Sequence, residues 1–139
     1  LVQYTPMGMF DYFKIDYPLP LAPYILAEYR PYVNAVIDQD EFQSKSLECC
    51  LSRYYVDNNG HIFIDESSFE DKDFEPAMRQ IYYHGHIMVY TFIPLQNWET
   101  DNSRKIWLEY DLKFTDSLLV SATMISPTEE EMNELHRNI

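Results

Sequence analysis

The sequence predicts a mainly β (α+β) domain: an antiparallel sheet of about six strands built from hairpins, with a short C-terminal helix packed on it. Three features carry that expectation. Ile106, Leu108, Tyr110, Leu112 and Phe114 alternate with Trp107, Glu109, Asp111, Lys113 and Thr115, the period-two pattern of a strand with one dry and one wet face. Asp57-Asn58-Asn59-Gly60 separates two β-rich runs, and Asn-Gly is the preferred tight hairpin turn because both central positions need positive φ. Near the end, Ser126-Pro127 followed by Glu129 reads as an N-cap, a proline at the first helical position and a capping box.

Taken in order, residues 9–17 carry aromatics on both alternating faces (Phe10, Tyr12; Phe13, Ile15, Tyr17) and read as the first strand. Pro18, Pro20 and Pro23 end it. Residues 18–46 are the least decidable stretch: Tyr24 to Tyr29 suits a helical turn that Pro31 stops, and Phe42 to Ser46 leads into the next strand. Residues 47–56 alternate Leu47, Cys49, Leu51, Arg53 and Tyr55 against Glu48, Cys50, Ser52, Tyr54 and Val56, which predicts a strand ending at the hairpin; His61 to Asp65 is its return. Residues 66–80 are polar and acidic and predict a loop, with a short turn near Ala77 to Gln80. Ile81 to Ile93 is a long β-rich run interrupted at Gly85, where a bulge or close backbone approach is expected, and Pro94 closes it. After the 106–114 strand, Asp116-Ser117 is the expected turn, and Leu118, Val120, Ala122 and Met124 are expected to return on the buried face. In the terminal helix, Glu129, Glu130 and Glu131 suit the positive end of the dipole and Arg137 the other, with Met132, Leu135 and Ile139 on one docking stripe.

The chain has 139 residues, 46% apolar and 16% aromatic. That is one domain's worth of sequence, able to bury a core without staples. Leu1 to Pro6 are expected to be an upstream extension or expression remnant, with Met7 or Met9 the natural start and a single domain over 7–139. No basic and apolar leader opens the chain. No apolar run approaches the ~18 residues of a membrane helix. The balance of 23 acidic to 10 basic residues, net −13, speaks against direct nucleic-acid binding, which needs cations to neutralise phosphate, and against an anionic membrane surface. Cys49 and Cys50 are adjacent and are the only cysteines. A bond between neighbours would be strained, so they read as reduced thiols in a cytoplasmic setting.

Chemistry-bearing patterns are few. With only Gly8, Gly60 and Gly85, a phosphate cradle built from backbone amides is nearly excluded. There is no Gly-x-Ser-x-Gly elbow and no dinucleotide fingerprint, so no catalytic residue and no cofactor is expected. His84 and His86 share a strand face at i, i+2 and make a weak metal-ligand candidate. A zinc or iron site needs a third protein ligand, and Ile87, Met88, Val89 and Tyr90 supply none; packed or surface histidines explain the pair equally well. Asp65, Glu66, Glu70, Asp71, Asp73 and Glu75 oppose only Lys72. They form a solvated loop, a docking surface for a basic partner, since concentrated single-sign charge raises on-rates for the opposite sign, or, as the smallest share, carboxylates for acidic catalysis. Trp107 and one face of the Tyr82–Phe92 run suit an interface or a second packed layer.

Met7-Gly8-Met9-Phe10-Asp11, Tyr17-Pro18-Leu19-Pro20, Phe42-Gln43-Ser44-Lys45 running on to Leu51 and Tyr54, and Trp107-Leu108-Glu109-Tyr110 together resemble small proteins of tailed bacteriophages and some bacterial genomes, to which no activity is attached. The second hairpin departs from them in having Asp116-Ser117 where a glycine turn is expected. The resemblance implies a phage accessory gene acting in the bacterial host cytoplasm, and such proteins often bind and inhibit a host or defence protein. Charge and resemblance together lead to the expectation of a non-enzymatic acidic protein-binding module, possible as a homo-oligomer, whose partner is a host or defence protein with a basic surface. The alternative is a small metal-dependent enzyme or ligand-binding β protein using His84 and His86.

Overall fold

A computed structural model describes residues 9–39, 41–66, 77–94 and 105–137. Among these, the order is β1 (Asp11–Ile15), α1 (Arg30–Gln39), β2 (Phe42–Ser44), β3 (Arg53–Val56), β4 (Ile62–Asp65), β5 (Met78–Gln80), β6 (Gly85–Pro94), β7 (Lys105–Thr115), β8 (Leu118–Ser126) and α2 (Glu129–Arg137). The strands form one mixed sheet in the order β5-β4-β3-β1-β2-β6-β7-β8. It is mainly β with a C-terminal helix, as expected, but has eight strands rather than about six.

It is also not wholly antiparallel. β1 pairs antiparallel with β2 through Phe13↔Phe42 and parallel with β3 through Phe13↔Tyr54. The chain leaves β1, crosses through α1 and β2, and only then returns as β3, so β1 and β3 point the same way. Two hairpin arms flank this centre: β3-β4-β5 on one side and β6-β7-β8 on the other. Ser44 Oγ donates to Met88 O at 2.6 Å, and Met88 N donates to Ser46 Oγ at 2.9 Å, fastening β2 to β6.

One face of the sheet is the core: Phe13 and Ile15 of β1, Tyr54 and Val56 of β3, Ile87, Val89 and Ile93 of β6, and the five alternate residues Ile106 to Phe114 of β7, all buried. α1 covers that face with Val33 and Val36, preceded by Tyr29 and Ile25 at helical spacing. Pro31, expected to stop a helix, instead lies in the first turn of one, where its missing N–H would have no intrahelical acceptor. The buried Tyr110 hydroxyl donates to Pro20 O at 2.7 Å, which pins the proline-rich segment to β7.

Four local expectations are corrected. Residues 47–52 are not a strand. Cys49 and Leu51 have φ of 57° and 59°, and the segment folds over the buried Asp11. Its carboxylate accepts the N–H groups of Cys49, Cys50 and Ser52 at 2.9, 3.1 and 3.0 Å. The apparent alternation of Leu47, Cys49 and Leu51 is coincidental, and both thiols are free. The Asp57–Gly60 turn needs positive φ at Gly60 alone (92°). Gly60 N donates to Asp57 O and Asp57 N to His61 O, each at 3.0 Å, the three-residue loop closed by a left-handed glycine. Burial pushes the Asp57 carboxyl up, but the N–H groups of His61 and Asn59 outweigh it and leave it below its ordinary range. Both-positive geometry occurs at Asp116 (48°) and Ser117 (68°) instead.

The third correction concerns β8. Leu119, not Leu118 or Val120, points inward. A bulge between the Lys113↔Ser121 and Phe114↔Leu119 pairs inserts Val120 and reverses the phase. The fourth is the helix cap. Ser126 is used by the sheet, its hydroxyl donating to Trp107 O at 2.9 Å. Thr128 takes the N-cap, with Glu131 N donating to Thr128 Oγ1 at 3.1 Å and Thr128 N to Glu131 Oε1 at 3.0 Å, so the capping box lies two residues later than expected. In addition, the segment expected as a loop near Ala77 to Gln80 contains β5. β6 begins at Gly85 (φ 132°) and not Ile81.

Residues 81–84 strap the β7–β8 turn. Ser117 N donates to Tyr83 O at 2.8 Å, and Tyr83 N donates to Ser117 Oγ at 2.9 Å. The sheet curls until the two arms meet: His61 bridges Leu118, and Leu119 N donates to Gly60 O at 2.9 Å.

Candidate functional site

The helices lie on the core face, and the outer face of β6 and β7 gathers the exposed aromatics. Phe92 lies directly across from Trp107, and Tyr90 across from Glu109. Trp107 sits between the two β6 rings: Tyr90 is stacked on it at 4.8 Å between centroids and Phe92 meets it edge-on at 4.6 Å. The Lys105 ammonium lies 4.5 Å from the centre of the Phe92 ring. The indole N–H of Trp107 donates to Glu109 Oε1 at 2.8 Å, fixing the carboxylate beside the rings. Burial raises the Tyr90 hydroxyl's pKa, helped by Cys49 and by Glu109. The result is a pre-ordered ridge, Lys105–Phe92–Trp107–Tyr90, with Glu109 alongside it and Phe92 half exposed.

The histidines take separate partners. His86 Nδ1 lies 2.9 Å from Asp111 Oδ1. His84 Nδ1 accepts the backbone N–H of Asp116 at 3.1 Å and so is engaged at the turn. Gly85 separates them, so His84 precedes the strand that carries His86. Among the described residues no group of three His, Cys, Asp or Glu side chains gathers as a metal site would require.

Asp65 and Glu66 tie the end of β4 to the start of β5. Asp65 Oδ1 accepts Ala77 N at 3.1 Å, and Glu66 pairs with Arg79. Glu70, Asp71, Asp73 and Glu75 lie outside the described residues, as do residues 1–8. Asp65 also borders a cleft of about 410 Å³ on the outer face with Lys14, Glu41, Arg53, Tyr55 and Met78. Arg53 pairs with Glu41 at 2.7 Å and its guanidinium lies 5.0 Å from the Tyr12 ring centre. The Tyr55 hydroxyl donates to Asp16 at 2.6 Å, which, with burial, raises its pKa to about 12.

The alternation marks Trp107 and the β6 aromatics as outward but carries no link between them and Glu109 or Lys105. Only the cross-strand register joins these residues, and the alternation along a single strand does not encode it. A rigid aromatic ridge beside a held carboxylate suits non-covalent recognition of cationic and apolar side chains. No helix among the described residues is long and apolar enough to cross a membrane. No protein-family model, curated protein or solved structure matches the chain.

Proposed function

We propose that this chain is a non-enzymatic acidic protein-binding module that docks the outer face of β6 and β7 onto a basic surface of another protein. The observation that carries the reading is the ridge of Tyr90, Trp107 and Phe92 with Glu109 fixed beside it. Rings ordered before binding lose little entropy on association, and Trp and Tyr are the usual anchors of interfaces. Net charge of −13 supports a basic partner through steering. In the phage setting that the sequence resemblance implies, the partner is a host or defence protein and the outcome is its inhibition or modulation.

The test is capture from a bacterial lysate, followed by binding kinetics with the captured protein. Trp107→Ala should accelerate dissociation by at least about tenfold, the scale of an aromatic hot spot. Reversing Asp71, Asp73 and Glu75 to lysine should slow association mainly at low salt, because exposed charges act through steering that salt screens. Unchanged dissociation for Trp107→Ala would remove the ridge from the interface.

A further inference from the structure

We propose that the free edge of β8 is a self-association site, at which a second copy of this chain pairs antiparallel about a two-fold axis through Thr123. β8 is the last strand of the sheet. Its nine residues, Leu-Leu-Val-Ser-Ala-Thr-Met-Ile-Ser, include no charged side chain in a chain where 24% of residues are charged. Edge strands that stay single usually carry a lysine, a proline, an inward charge or a twisting bulge; β8 has bulges at Val120 and Ile125, and the stretch between them, Ser121 to Met124, carries none of these devices.

The backbone alternation defines what is open. Leu119, opposite Phe114, sends its N–H away from β7 to Gly60 O. Beyond the bulge at Val120, Ser121 and Thr123 are the register partners of Lys113 and Asp111, and the antiparallel alternation that turns the Leu119 N–H outward turns theirs toward β7 and the N–H and C=O of Ala122 and Met124 to the free edge. Among the described residues no other strand pairs with them. The second bulge, at Ile125, ends this stretch.

The open groups are complementary to themselves. With the axis at Thr123, Ala122 faces Met124 of the second copy and Met124 faces Ala122, so all four open N–H and C=O groups of each chain are satisfied. Thr123 meets its own copy in the closer, non-hydrogen-bonded type of pair, a favourable threonine cross-strand contact. The exposed Ile125 (42%) comes to lie against Ser121 of the second copy.

Charge decides between occupants. A strand without charge selects neither a cationic nor an anionic partner, whereas this register needs only the sequence already present. The nearest outer-face carboxylate, Asp111, would lie about 14 Å from its copy, three strand spacings of about 4.8 Å, beyond the ~8 Å Debye length at physiological salt. Two chains of −13 still repel at long range, so the dimer should tighten as salt rises.

Sedimentation of the whole chain over a dilution series at low and high salt gives the first readout, with a monomer–dimer equilibrium expected. Thr123→Lys places two ammonium groups face to face on the axis and should weaken the dimer at least about tenfold. Thr123→Glu should do the same, and mixing the two variants should restore a one-to-one dimer. As a check independent of those variants' folding, Thr123→Cys should cross-link under mild oxidation through a 123–123 linkage seen by mass spectrometry. A wild-type chain that stays monomeric in high salt would overturn the proposal. So would an undiminished Thr123→Lys dimer, which would move self-association to another surface such as the aromatic ridge. Absence of the 123–123 cross-link would likewise overturn it. Loss of a captured partner on Thr123→Lys, with no dimer in the wild type, would assign the edge to a foreign strand instead.

Discussion

Substituting valine for Gly60 tests how the β3–β4 turn is seated against β8. Gly60 has φ of 92°. A Cβ there would sit 2.9 Å from Leu119 O, 3.1 Å from Leu119 Cβ and 3.2 Å from Leu119 N. Two of those neighbours are backbone atoms, so the strand or the turn must move. Left-handed φ at a residue with a Cβ costs about 1–2 kcal/mol, more when it is β-branched. Separating the two segments also gives up the Leu119 N–H to Gly60 O bond, worth about 1 kcal/mol. The total is about 3 kcal/mol. With a urea dependence of about 2 kcal/mol/M, the midpoint should fall by about 1.5 M. Asn58→Ala, an exposed change in the same turn, should move stability by no more than about 0.5 kcal/mol. Urea unfolding followed by circular dichroism measures both. A Gly60→Val midpoint equal to that of Asn58→Ala would show that the turn does not bear on β8.

Asp11→Asn replaces an acceptor with an amide N–H2 among the donors of Cys49, Cys50 and Ser52; it should cost about 1–3 kcal/mol and speed thiol labelling of Cys50, and unchanged labelling and midpoint would refute the loop's dependence on that carboxylate. Pro31→Ala should change stability by less than about 1 kcal/mol, because a first-turn proline gives up no helical bond; a large loss by thermal unfolding would contradict that placement. Burial raises the Tyr110 hydroxyl and raises Tyr54 to about 12, with Asp11 and Glu48 adding to the latter. The unfolded chain therefore loses these protons first, and the associated stability, complete below pH 10, should decline as pH rises from 10 toward 12. Tyrosinate absorbance should then develop partly in step with unfolding; complete ionisation of every tyrosine in a still-folded chain would refute it.

Legibility in the sequence followed burial. β7 was readable because one face is dry and the other wet along its length, and each expected inward residue from Ile106 to Phe114 is buried. β5, with all three residues exposed, has no alternation to show. α1 was missed because Pro31 is ambiguous between a helix stop and a first-turn residue, which only tertiary context separates. Residues 47–52 imitated a strand because loops held by a buried side chain carry no pattern of their own. Within the site, Trp107 was visible as an outward aromatic, whereas its relation to Phe92, Tyr90 and Lys105 arises from register.

The parallel pairing of β1 with β3 has a consequence for how the chain assembles. Each outer arm pairs strands that follow one another directly in the chain, and such local pairings form early. The centre cannot form that way. Registering Phe13 beside Tyr54 requires about forty intervening residues, α1 and the Asp11-bound loop among them, to be gathered first, and non-local closure of this kind slows folding. The two arms are therefore expected to become protected from amide exchange before β1 does, with the insertion of β1 between β2 and β3 as the step that joins two half-built sheets into one.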